Sequence, residues 1–338
     1  MPACSGGRNL TAAQDTTSDQ PREGVVIRAG GGSCRVADGD VVRLCRVRGR
    51  LKQGRQLVQN VVVVGDRVMV RALPAAAEEA EPEGVVEEVL PRRNRISRQA
   101  ARRTGGGLEQ VLIANLDQVV AVQSVSDPAP QSGFVDRLLV AAVRFGVDGV
   151  LCLNKCDLDA GLAGDPRWDY YAALGVEVLR TSAATGEGLD MLRARLRDRI
   201  SIFLGASGVG KSTLLNAIQP GLRLRTMEVT ERTGLGRHTT THTELFPLRD
   251  GGFIADSPGL RGFDPWDIAP EDLRGHFPDF AEPSVGCRFR TCLHRGEPDC
   301  LVKRAVASGA IPGWRHEAYL DLLRDLEDRQ AQAPPYRR

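Results

Sequence analysis

Long apolar runs are missing from this chain of 338 residues. No stretch approaches the ~20 apolar residues that a membrane-spanning helix needs. The first 24 residues hold no apolar segment of the secretory-signal kind, so a cytoplasmic chain without membrane contact is expected. Lysine is scarce: it stands only at 52, 155, 211 and 303, and the other 41 basic residues are arginine. Two of the four lysines fall inside motifs with their own chemistry. A strong excess of one charge is also missing, with a net charge of +2. Internal repeats and low complexity are absent, and 42% apolar with 26% charged residues excludes a mostly disordered chain. Without a secretory signal, the eight cysteines do not read as a disulfide framework.

The length allows two or three domains. Residues 1–21 are polar and read as a disordered tail. Short apolar runs at 24–28, 33–36, 41–47, 61–64, 67–70 and 85–90 read as strands of a small all-β barrel, with an Ala/Glu/Pro loop insertion at 75–83. Arginines concentrate at 22–55 and at 92–103. The second cluster, Arg92, Arg93, Arg95, Arg98, Arg102 and Arg103, contains no acid. Such patches suit a polyanion such as RNA, or a solvated face. From 111 the texture changes. Apolar runs at 119–122 and 150–153 alternate with helical patterns at 135–145 and 189–196, the mark of a parallel α/β sheet.

Gly205-Ala206-Ser207-Gly208-Val209-Gly210-Lys211-Ser212 fits G-x-x-x-x-G-K-[ST]. It follows the strand-like 202–204 and opens a helical pattern that starts at Thr213, the context the motif requires. Glycines let backbone N–H groups turn toward phosphate oxygens, and the helix N-terminus adds positive potential. Lys211 is expected on the β- and γ-phosphates, and Ser212 on Mg²⁺.

Asn154-Lys155-Cys156-Asp157 ends the strand at 150–153 and fits N-K-x-D. Asp157 can accept from guanine N1–H and the 2-amino group, a donor pair adenine lacks. Asn154 is expected at the base's other edge, and the Lys155 stem over its plane. Thr181-Ser182-Ala183-Ala184 follows the next strand, where Ser182 and Ala183 would meet guanine O6 through a backbone N–H. Asp256-Ser257-Pro258-Gly259 matches D-x-x-G after a strand at 253–255, with Asp256 toward Mg²⁺ and the Gly259 N–H toward the γ-phosphate. Between lies Gly236-Arg237-His238-Thr239-Thr240-Thr241, a first-switch candidate. Its Mg²⁺ ligand is one of three adjacent threonines, with Thr240 as the candidate. The position after D-x-x-G is Leu260, which cannot orient a water, so slow intrinsic hydrolysis is expected. His238 is the candidate base, with packing or RNA contact as its alternative. A P-loop ATPase is disfavoured by Asn154 and Asp157. A nucleotide-holding RNA scaffold without turnover is the competing class.

The base-reading loops precede the phosphate loop, the reverse of the ordinary order. The second switch therefore leads into the C-terminal module, and gain or loss of the γ-phosphate is expected to move that module. There, Cys287-x4-Cys292-x-His294-x5-Cys300 offers three thiolates and an imidazole within fourteen residues, a set suited to closed tetrahedral Zn²⁺.

Together these motifs resemble the circularly permuted, small-subunit-dependent GTPases of the RsgA/YjeQ family over about residues 22–325. Gly65-Asp66 and the segment 113–119 resemble that family as well. The resemblance implies three domains: an OB-fold RNA-binding barrel at 22–95, a circularly permuted α/β P-loop GTPase domain at 96–268, and a mostly helical zinc-binding domain at 269–338. It also implies GTP and GDP as ligands, Mg²⁺ with GTP, one structural zinc per chain, and the small ribosomal subunit with its rRNA as partner. Hydrolysis stimulated by that subunit in its late maturation is the implied activity, and a monomer the implied state.

Overall fold

The computed structural model describes residues 20–30, 32–49, 61–74, 81–99, 109–130, 133–158, 161, 164–222, 243–256 and 268–332. The tail expected at 1–21 lies outside them but for its last two residues, and so does most of the 75–83 insertion.

Five strands close the N-terminal barrel: β1 Arg22–Gly30, β2 Ser33–Asp38, β3 Val41–Val47, β4 Arg67–Ala72 and β5 Glu83–Val89. Their order is β1-β2-β3-β5-β4, with only β3 and β5 parallel, the five-stranded plan of an OB barrel. Val26, Val36, Val68, Val70 and Val86 fill its interior with Cys34 and Cys45. β-Branched side chains suit such half-buried strands.

Residues 61–64 correct the expectation of a strand. They form a turn, because Gly65 takes φ +85° and the buried Asp66 carboxylate accepts the Val63 N–H at 2.9 Å. The valines are apolar because they plug cores: Val62 enters the barrel and Val64 the cluster beneath the next domain. β6 Arg95–Gln99 and β7 Glu109–Ala114 form a separate antiparallel pair.

The central sheet is built from β8 Gln118–Ser124, β9 Asp148–Asn154, β10 Glu177–Arg180, β11 Ile200–Leu204, β12 Glu244–Pro247 and β13 Phe253–Asp256. The order is β10-β9-β8-β11-β13-β12, parallel except for β12. β8 is buried at every position, as a strand covered on both faces must be. Helices α1 Phe134–Phe145 and α2 Pro166–Ala173 share one core with the sheet. α3 Leu189–Leu196 and α4 Lys211–Ile218 contribute to the other. Strand order reverses between β8 and β11, and doubly wound sheets bind ligands at the carboxyl ends of strands beside such a switch.

The C-terminal region is helical: 3-10 turns at Pro270–His276 and Pro278–Phe280, then α5 Ala281–Val285, α6 Leu301–Ala307 and α7 Gly313–Gln332. Its core of Phe277, Phe280, Tyr319, Leu322 and Leu323 takes in Val140 of α1. Among the described residues no helix is long and apolar enough to cross a membrane.

Candidate functional site

Each nucleotide motif leaves the carboxyl end of a parallel strand, so the permuted loops meet along one sheet edge. β11 delivers 205–212, β9 delivers 154–157, β10 delivers 181–183, and β13 ends on Asp256. The register Ile202↔Ala255 sets Asp256 level with Phe203, two residues before the phosphate loop begins at Gly205.

The phosphate loop is tight because glycine permits it. Gly208 and Gly210 stand at φ +83° and +89°. A Cβ on Gly205 would meet the Val122 carbonyl oxygen at 2.4 Å, and one on Gly210 the Asn154 amide at 2.5 Å. Gly210 caps α4, so Lys211, Ser212 and Thr213 form its first turn. The Lys211 Nζ donates to the Gly205 and Ala206 carbonyls at 2.9 and 2.7 Å, holding the ammonium at the loop's mouth. Ser207, Ser212 and Thr213 face solvent, whereas the Val209 side chain is buried in the core behind the loop.

The base-reading loop is pinned to the phosphate loop. Asn154 Nδ2 donates to the Val209 carbonyl at 3.0 Å, and Thr181 Oγ1 donates to Asn154 Oδ1 at 3.3 Å. Asn154 is buried, and with its amide so engaged it ties two loops together. Lys155, in left-handed backbone at φ +66°, extends to the Asp127 carbonyl, with its stem beside Gly210. Asp157 is exposed, and its Oδ1 accepts the Ser182 hydroxyl at 2.5 Å. Ser182 Oγ also accepts the Thr185 N–H at 3.1 Å, so the serine sets both the carboxylate and the turn that carries Ala183. Thr181 was not expected to matter; its side chain fixes Asn154. His238, Thr240 and Gly259 lie outside the described residues, as do the rest of the first switch and residues 257–260.

The metal-type cluster is assembled. One ligand atom from each of Cys287, Cys292, His294 and Cys300 lies within 4.8 Å of the others. His294 Nδ1 faces the Cys300 and Cys287 sulfurs at 3.4 and 3.7 Å. The Ser284 hydroxyl meets the opposite nitrogen at 3.0 Å, an outer contact of the kind that orients a metal-binding imidazole. Burial, helped by Arg274, pushes the His294 imidazole down to about 4, so it is neutral as a ligand must be. Burial drives the Cys292 thiol up to about 12, so a bound cation is what would make it a thiolate. Burial alone would raise Glu297, yet N–H groups including those of Leu293, Arg295 and Gly296 hold its carboxyl at about 2 and brace the loop. Three sulfurs and one nitrogen converging so fit a metal ion of the soft or borderline kind.

The arginine cluster at 92–103 divides. Arg92 forms a two-pronged pair with the buried Asp66 at 2.6 and 2.9 Å, and Arg93 reaches Asp117 at 2.7 Å. Arg92 is therefore a structural strut, which corrects its place in a polyanion patch. Arg102 and Arg103 lie outside the described residues. The barrel offers another cationic face: Arg28 pairs in register with Arg35, and Ser33, two residues away on β2, with Arg46. Alternation puts the three side chains on one outer face, where Arg35 also pairs with Glu81 at 2.7 Å and Arg28 and Arg46 are exposed.

Comparison with known proteins agrees with this arrangement. The family model described as RsgA GTPase matches residues 89–266. A small ribosomal subunit biogenesis GTPase RsgA of Moorella thermoacetica is 41% identical over 310 residues, covering 91% of this chain and 98% of that protein. The protein of the same name from Chlorobaculum tepidum is 40% identical over 309 residues, covering 90% and 98%. The crystal structure of YjeQ from Thermotoga maritima superposes with TM-score 0.71 at 33% identity, covering 90% of this chain and 98% of that one. YloQ, described as a circularly permuted GTPase, gives TM-score 0.68 at 30% identity, covering 96% and 100%.

Proposed function

The chain belongs to the RsgA GTPase family, and we propose that it is a GTP hydrolase acting late in maturation of the small ribosomal subunit, with turnover stimulated by that subunit. The observation that carries the reading is the contact of Asn154 with Val209 and Gly210, which joins the base-reading and phosphate loops despite their reversed order. The division into 22–95, 96–268 and 269–338 assigns RNA binding to the barrel, nucleotide chemistry to the centre and zinc to the end. The chain works as a cytoplasmic monomer. Its barrel meets rRNA through Arg28, Arg35 and Arg46, chiefly at phosphates.

In this mechanism Asp157, aimed by Ser182, accepts the two guanine donors, and the Ala183 backbone meets O6. The N–H groups of 205–210, with Lys211, hold the phosphates. Ser212, Asp256 and Thr240 are the residues that would hold Mg²⁺, which when bound neutralises charge developing on the phosphates. The Gly259 N–H meets the γ-phosphate, and His238 accepts the proton of the attacking water. Zinc, one per chain on Cys287, Cys292, His294 and Cys300, is structural, since four protein donors leave no open position.

The test is GTP turnover with and without purified small subunits. Stimulation by subunits, competed by GDP and not by ATP, is expected. The Asp157→Asn variant should shift preference toward xanthine nucleotides, whose position 2 carries an oxygen. In His238→Ala, GTP and subunit binding should survive while stimulated turnover falls by about 10²–10⁴. Subunit binding with no turnover would leave an RNA scaffold that merely holds nucleotide, and equal competition by ATP would refute the base assignment.

A further inference from the structure

The loop between the first two cluster ligands is built unlike the rest of the C-terminal surface. Cys287 is half-buried and Cys292 buried, yet Arg288, Phe289, Arg290 and Thr291 between them all face solvent. Large exposed apolar side chains are few among the described residues, and two of them flank Cys287: Val285 at 88% and Phe289 at 42%. The loop is held in place from both ends. The Cys292 N–H donates to the Phe289 carbonyl at 3.2 Å, and the Cys287 N–H to Ser284 at 3.2 Å. Gly286 packs so closely on α6 that a Cβ there would stand 2.3 Å from Leu301. The Phe289 ring is thus an aromatic surface displayed on a loop anchored at both ends.

Its surroundings are cationic. The Arg288 guanidinium lies 5.5 Å from the Phe289 ring centroid. Asp299 is shared by Arg288 at 3.6 Å and Arg304 at 3.4 Å, so one carboxylate serves two guanidinium groups. Arg290, which follows Phe289 in the chain, is exposed and has no ion-pair partner among the described residues.

We propose that Phe289 is a stacking platform for an unpaired RNA base, with Arg288 and Arg290 on the phosphates either side. The inference rests on the reading of this protein as a ribosomal-subunit factor and names what its metal-held loop recognises there. A phosphate backbone alone would use the arginines and leave the ring idle. A protein partner with an apolar face would gain from Val285 and Phe289 but would have to bury the flanking guanidinium groups. A base with its own phosphates uses both features, since every base has a π-face and carries anionic neighbours. A duplex hides those faces in its stack, so the target is a single-stranded or bulged nucleotide.

The test uses the full-length, metal-loaded protein. Three probes are titrated: a ten-nucleotide single-stranded RNA carrying 2-aminopurine, a hairpin RNA of the same composition, and purified small subunits. Metal content, measured for each variant, shows that the loop is intact. Wild type should quench the 2-aminopurine and prefer the single strand. Phe289→Ala should lose about tenfold in affinity for the single strand and for subunits, in line with the stacking contribution of one base. Its salt dependence should stay unchanged, because no phosphate contact is lost. Phe289→Trp should restore binding, and Phe289→Leu, apolar but without a π-face, should not. Arg290→Glu should flatten the salt dependence. Equal rescue by Leu and Trp, equal affinity for hairpin and single strand, or an unaltered Phe289→Ala would each overturn the platform. Failure of the wild type to bind subunits at all would instead strike the functional reading beneath it.

Discussion

The central domain is joined to its two neighbours in opposite ways. The joint to the barrel is built from backbone and short amide side chains, with the largely exposed Arg93 paired to Asp117 at its rim. The Ala114 N–H donates to the Val64 carbonyl at 2.9 Å, and Asn115, in left-handed backbone at φ +54°, donates to Gly65 at 2.9 Å and accepts from the Arg93 N–H at 2.8 Å. The joint to the metal module is built from buried charge. Arg315 of α7, 2% exposed, reaches Asp136 of α1 and holds Asp279 at 3.0 Å through two nitrogens. The Tyr170 hydroxyl adds a bond to Asp279 at 3.0 Å, Trp314 packs on Tyr170 and Tyr171, and the Arg315 guanidinium lies 4.3 Å from the Phe277 ring. A backbone joint fixes geometry. A buried ionic joint makes separation costly, because the central domain alone would keep Asp136 buried without its cation while Arg315 stayed with Asp279. The expected swing of the module with the γ-phosphate therefore meets an obstacle: the module is anchored on α1 and α2, not only on the segment after the second switch.

The ionic joint carries the largest expected effect. Arg315→Met leaves the Asp136 and Asp279 carboxylates buried without their cation and should cost about 3–5 kcal/mol. The urea midpoint, followed by tryptophan fluorescence because Trp314 sits in the joint, measures it. The triple change Asp136→Leu, Asp279→Leu, Arg315→Met should recover at least half of that loss, since a buried ion pair replaced by apolar groups is often near neutral. A loss below about 1 kcal/mol for Arg315→Met would reduce the joint to the worth of a surface pair.

These two joints were unequally legible in the sequence. Gly65-Asp66 and the 113–119 segment stood out, and they turn out to face each other. The nucleotide loops were legible because each is contiguous and follows an apolar strand; the metal cluster was legible because its four ligands span fourteen residues. Arg315, Asp136 and Asp279 were not legible, since no local spacing links positions so far apart. Arg92 was misread for the same reason: its partner Asp66 stands 26 residues upstream. The valines at 61–64 have strand composition, but Gly65 and Asp66 turn the chain before it can pair. Those two residues were the signal that could have decided it. β12 was missed as a four-residue antiparallel edge strand with no long apolar run.

The barrel joint can be broken at Gly65. It stands at φ +85°, and a Cβ there would lie 2.0 Å from the Ala114 carbonyl oxygen. Gly65→Ala should cost about 2–3 kcal/mol, combining left-handed strain with displacement of the strand it faces. Asn115→Gly keeps the backbone free at its own position and removes only the two amide bonds, at about 1–2 kcal/mol. Urea midpoints of both variants rank them. If Asn115→Gly proved the more damaging, the joint would depend on its side-chain bonds more than on close backbone approach. GTP affinity should hold in both, because neither residue touches the phosphate or base-reading loops.

The smallest effect sharpens the ionic joint from the side of α2, which carries Tyr170 and Tyr171 into it. Asp165 caps that helix: its Oδ1 accepts the Arg167 N–H at 2.9 Å, ahead of Pro166 at the first position. Hydrogen bonds from the Arg167 side chain, aided by its backbone N–H, hold the Asp165 carboxyl below its ordinary value. A carboxyl depressed in the folded state binds fewer protons there than in the unfolded chain. Its stabilisation is therefore complete above the unfolded value near pH 4 and fades as pH falls through the folded one. Asp165→Ala should cost about 1 kcal/mol at neutral pH, a typical loss for a removed cap. The gap between wild type and variant should close on acidification below about pH 4. Asp165→Asn, which can still accept the N–H, should keep most of the neutral-pH stability while removing this part of the acid dependence. Urea midpoints measured from pH 3 to 7 check both. A gap that stayed constant across that range would assign the cap's contribution to shape alone, and the carboxylate charge would have no part in seating α2 against Arg315.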